Sequence, residues 1–84
     1  MCSGILEKAA ITGSAKGAQG WFPLVEANVS YDHPTHANLE HGLIIDFMNE
    51  EMGPGARVAV EISHDSAQAL VRAILDAMQK SEEL

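Results

Sequence analysis

The sequence predicts an α+β fold: a four-stranded antiparallel sheet in β-β-β-β-α order, a meander, with one C-terminal helix packed on one face. Three observations carry this expectation. Several segments alternate apolar and polar residues with the period of a strand. The last quarter of the chain repeats its apolar residues at helical spacing. The joins between alternating segments are short and rich in turn-forming residues, which suits sequential neighbours in one sheet.

The elements follow in chain order. Gly4–Thr12 is the weakest strand signal, because Glu7-Lys8-Ala9-Ala10 suits a helix equally well. Gly13–Gly20, GSAKGAQG, reads as a small-residue loop leading to the second strand. In Leu24–Asp32, LVEANVSYD, the residues Val25, Ala27, Val29 and Tyr31 alternate with Glu26, Asn28, Ser30 and Asp32. That is the cleanest strand pattern in the chain. Gly42–Met48, GLIIDFM, sets Leu43, Ile45 and Phe47 against Ile44, Asp46 and Met48. Asn49–Ala56, NEEMGPGA, is turn-rich. Arg57–Ser63, RVAVEIS, sets Val58, Val60 and Ile62 against Ala59, Glu61 and Ser63. From Ser63 to about Lys80, Ala67, Leu70, Val71, Ile74, Ala77 and Met78 form one apolar stripe. Ser63 is the expected N-cap, and Asp65 suits the positive end of the helix dipole.

The chain has 84 residues, 46% of them hydrophobic, and reads as one domain over 1–84. A domain this small buries only about 60% of its unfolded surface. Small domains add a disulfide, a metal or a partner chain to compensate. Cys2 is the one cysteine, so no bridge forms within the chain. A metal, self-association or an unusually well packed core is left. The size excludes a two-domain enzyme and a nucleotide-binding βαβαβ fold.

Twelve acidic residues oppose five basic ones, for a net charge of −7. Lys8, Lys16, Arg57, Arg72 and Lys80 are scattered. With no basic patch, neither nucleic acid nor an anionic membrane is an expected partner. No apolar run is long enough to span a bilayer, and no signal peptide is visible. A lone cysteine fits a reducing compartment, so the expected location is cytoplasmic.

Three of the four histidines fall in Asp32-His33-Pro34-Thr35-His36-Ala37-Asn38-Leu39-Glu40-His41, the join between the second and third strands. His33 leaves one strand and His41 enters the next, so they sit opposite each other at the base of a hairpin. Alternation puts His33 with Tyr31 and Val29, and His41 with Leu43 and Ile45, on the apolar side. His36, in the loop between, is expected to close over them. Meander topology then brings His64 towards His41 and Cys2 towards His33. Imidazoles with a thiolate suit a transition metal: zinc by default, with copper or nickel as alternatives. The expected ligands are His33, His36, His41 and Cys2, with His64 a less favoured addition. Asp32, Glu40 and Asp46 are candidate acceptors that orient the rings. The competing reading is a set of solvated loop histidines.

Other motifs carry less. GSAKGAQG departs from the phosphate-binding pattern G-x-x-x-x-G-K-[ST] and precedes a strand, so it reads as a hairpin loop. Cys2 beside histidines suggests a nucleophile and base, but no stabilising donors can be named. The uncovered sheet face mixes Ile44, Met48 and Ala59 with Glu26, Asn28, Asp46 and Glu61, a surface suited to solvent or to a subunit contact.

The run GWFPLVEANVSYDHPTHANLEHGLIIDF, followed by GPGARVAVEIS and a short helix, resembles a family of short uncharacterised bacterial proteins with a domain-of-unknown-function label. The shared features are an N-terminal Met-Cys, a D-H-P-x-H-A-x-x-E-H segment and a final strand-helix unit. They correspond to Cys2, to Asp32 through His41, and to Arg57 through Met78. The resemblance implies no activity, but it implies that Cys2 and the histidine segment belong together.

Taken together, the leading expectation is a small metal-binding protein, either a metalloenzyme or a metal-dependent accessory protein. The alternative is a metal-free homo-oligomeric module, with a dimer favoured, or a small-molecule binder using the histidine end as a pocket. Whether the chain is an enzyme stays open from sequence.

Overall fold

A computed structural model describes residues 4–84; Cys2, one of the expected metal ligands, lies outside them. The chain runs through β1 (Ile5–Gly17), β2 (Gly20–Asp32), β3 (Gly42–Met48), a 3₁₀ turn (Glu50–Met52), β4 (Arg57–Ile62) and α1 (His64–Ser81). All neighbouring strands pair antiparallel in the order β1-β2-β3-β4. The expected α+β meander with a C-terminal helix is therefore the fold.

The first hairpin is longer than the sequence suggests. Most of GSAKGAQG is paired strand, and only Ala18 and Gln19 turn between the partners Gly17 and Gly20. Gly20, which opens β2 after the turn, takes φ +110°, a conformation that a side chain would disfavour. An irregularity between Ala10 and Gly13 shifts the register midway along β1. A Cβ on Gly17 would lie 2.7 Å from the Gly55 carbonyl oxygen, so bare backbone lets the hairpin end approach the connection before β4.

Register builds one apolar face from three cross-strand rows. Tyr31, Leu43 and Ile62 form one; Val29, Ile45 and Val60 the next; Ala27, Phe47 and Val58 the third. The other face carries Asn28, Asp46 and Ala59, then Ser30, Ile44 and Glu61. Arg57 there forms an ion pair with Asp46. Asn49 is buried at the end of β3. Its Nδ2 donates to the Pro23 carbonyl at 2.9 Å, its Oδ1 accepts from the Glu51 N–H, and its own N–H donates to Ala56. One side chain thus ties the 49–56 connection to β2.

Ser63 caps α1 as expected, its Oγ accepting the Ser66 N–H at 3.1 Å. Asp65 in the first turn and Lys80 in the last suit the dipole. The helix lies over the apolar face but packs on it loosely. No residue of α1 is buried, and Leu70, Val71, Ile74, Leu75 and Met78 are each between 43% and 60% exposed. Among the described residues the buried hydrophobic side chains are Phe22, Ala27, Ile45 and Ala56. Among them, too, no helix is long and apolar enough to cross a membrane.

Candidate functional site

The β2–β3 ladder ends at the pair Asp32 and Gly42. His33 and His41 follow directly, one leaving and one entering, so the hairpin base sets them side by side. Their ring centroids are 4.5 Å apart with planes 32° from parallel. The His41 ring lies parallel to Tyr31, 8° between planes and 6.0 Å between centroids. His64, the first residue of α1, meets the same Tyr31 edge-on at 6.2 Å. Tyr31 thus joins His33, His41 and His64 on the apolar side of one sheet end. The strand alternation and the meander order anticipate this gathering.

His36 is elsewhere. It lies across the sheet, in a concavity with Ile44, Ala59 and Glu61, and its side chain is 88% exposed. The expectation that it closes over the pair is not met, and Glu61 is the reason. The Glu61 carboxylate accepts the backbone N–H groups of Thr35, His36 and Ala37 at 2.8, 2.9 and 2.9 Å. It pulls the loop towards the polar face, leaving the His36 Nδ1 3.8 Å from its Oε1. The Ala37 N–H, then that of Thr35, hold the Glu61 carboxyl below its ordinary pKa. Burial opposes them, and the His36 N–H and ring charge add to them. Among the described residues no three His, Cys, Asp or Glu side chains gather as metal ligands.

The three candidate orienting carboxylates also separate. The Asp32 Oδ1 accepts the His33 backbone N–H at 2.8 Å, beside the pair. Asp46 is engaged by Arg57 on the other face, so it does not orient the rings. Glu40 is exposed in the loop.

Two residues missed by the sequence reading shape this end. Glu61 reads from its pattern as a solvated position on the polar face. Nothing near it in the sequence marks its role, because its partners lie 24 to 26 residues earlier. Gly42 reads as a strand start, yet a Cβ there would lie 2.8 Å from the Ile62 carbonyl oxygen and 3.1 Å from Pro34 Cγ. Its bare backbone lets Pro34 seat against the sheet.

Next to the histidines an open groove of about 700 Å³ runs between sheet and helix. Val29 and Leu43 line its sheet wall, and His64, Gln68, Val71 and Arg72 are among the helical residues opposite.

The whole chain, residues 1–84, matches DUF6295, a family of unknown function. It belongs to that family. Membership agrees with the resemblance carried by the DHPTHANLEH segment and brings no activity with it. No curated protein and no solved structure matches the chain.

Proposed function

We propose that this protein is a homo-oligomeric interaction module, a dimer whose core is completed by a second copy over the apolar face. The observation that carries this is a helix with a well-formed apolar stripe and no buried residue. At 100° per residue, the groove-lining positions His64, Ala67, Gln68, Val71, Arg72 and Leu75 centre roughly 90° around the helix from Leu70, Ile74 and Met78. The stripe faces partly away from its own sheet, where a neighbour can reach it. Ile5 and Val25, at alternating positions on the apolar face, are also half exposed.

Area supports the same reading. The chain exposes 6349 Å². A compact monomer of its mass exposes about 4,900 Å². The excess, about 1,500 Å² per chain, would bury roughly 3,000 Å² in a dimer, within the range of obligate homodimers. The radius of gyration of 14.2 Å is likewise large; a compact chain of this length has about 12 Å. The lone cysteine supports a cytoplasmic setting for the dimer.

Sedimentation of untagged protein over a hundredfold concentration range tests the reading. A dimer mass is expected, with an unfolding midpoint that rises with protein concentration. A folded monomer with a concentration-independent midpoint overturns it, and would turn attention to a small ligand in the groove.

A further inference from the structure

We propose that His33 and His41 together form a binding site for one borderline divalent cation: Zn²⁺, Cu²⁺ or Ni²⁺. This differs from the ligand set expected from sequence: His36 is on the other face, and no residue outside the described ones is needed.

The geometry of the pair carries the inference. Two imidazoles on one ion, at a metal–nitrogen distance of ~2.1 Å, have ring centroids about 4.6 Å apart for a cis right angle and about 5.3 Å apart for a tetrahedral one, so the pair stands at the cis separation. The His33 and His41 centroids stand 4.5 Å apart before any ion is considered. Their backbones are fixed by the last pair of the β2–β3 ladder, so the separation is set by strand register. The His41 ring lies parallel to Tyr31. The terminal imidazole torsion is soft, so aiming one nitrogen of each ring at a common point costs little.

The surroundings suit a cation with open positions. Both histidines are exposed, so water or a ligand carboxylate can complete the coordination. The Asp32 carboxylate sits at the same strand end, held by the His33 N–H. A net charge of −7 favours cations near the surface. Both ligands come from one chain, so the site stands whether or not two copies associate.

Calorimetric titration of untagged protein with Zn²⁺, repeated with Cu²⁺, tests the site. One ion per chain is expected. His33→Gln and His41→Gln should each weaken binding at least ~10-fold, since even residues behind the ligands are worth that much. His36→Gln should bind as the unaltered protein does. Sub-stoichiometric Cu²⁺ should broaden the imidazole NMR signals of His33 and His41 first. No binding, equal broadening of all four histidines, or unchanged affinity in both variants of the pair overturns the proposal. Circular dichroism confirms that each exposed-site variant is folded.

Discussion

The histidine end of the sheet and the groove beneath α1 lie side by side and are built differently. At the histidine end, the contacts are few and directional. Register delivers His33 and His41 to each other, and Glu61 collects three loop N–H groups. Each of those three donors finds its partner within the chain. At the groove, apolar side chains such as Val29, Leu43, Val71 and Leu75 stand beside His64, Gln68 and Arg72, and one helix of 18 residues leaves much of the apolar face of four strands open. Directional contacts can be completed one at a time; burial of surface needs a matching area of surface. A small chain can therefore finish its polar end alone and still depend on a neighbour for its core.

The largest expected effect lies on the open stripe of α1. Ile74→Glu places a charge in the exposed stripe. In a monomer with α1 as open as it is here, the change should stay within about 0.5 kcal/mol. In a dimer that buries the stripe, each copy loses about 1.5–3 kcal/mol, so roughly 3 to 6 kcal/mol is lost per dimer. Denaturant unfolding at fixed protein concentration, with the mass measured alongside, separates the two cases.

A smaller and more local effect is expected at the polar end. Glu61→Gln removes the charge that draws in Thr35, His36 and Ala37, and hydrogen exchange at those three amides should accelerate while α1 is unaffected. The pH dependence has a definite sign. A carboxyl whose folded pKa is lowered stabilises the fold above its unfolded pKa, and that contribution is lost as pH falls through the folded value. Loop protection in the unaltered protein should thus fall on acidification, and Glu61→Gln should flatten the response. An acid response that persists in the variant would place the anchor elsewhere.

The smallest effect is expected at the junction of the two regions. Ser63→Ala removes the helix cap and should cost about 1 kcal/mol, read from thermal unfolding. A much larger loss would mean that the start of α1, with His64 against Tyr31, is tied to the histidine end more strongly than its cap alone explains.

How much was legible follows from which interactions are local. β2, β3 and β4 were readable because Val29, Ile45 and Val60 belong to strict alternations, and α1 because its stripe repeats at helical spacing. β1 was harder. Its residues are exposed almost throughout, so the chain has little reason to alternate there, and small residues hid the continuation of the strand to Gly17. The pairing of His33 with His41 was readable from alternation across one hairpin. The fate of His36 was not, because it depends on Glu61, 25 residues further on, in a strand two elements away.

By itself the sequence determined the order of elements, the two faces of the sheet, the helix cap and the meeting of two histidines at a hairpin base. All of these rest on periodicity or on neighbours close along the chain. Tertiary structure alone decided that the loop turns to the polar face, that Gly42 must lack a side chain, and that α1 leaves its stripe open. Those outcomes depend on distances between segments remote in sequence, and on whether the area one element offers matches the area another needs covered. The small size of the chain signals that its core is short of cover. Only the placement of the helix shows which surface goes uncovered.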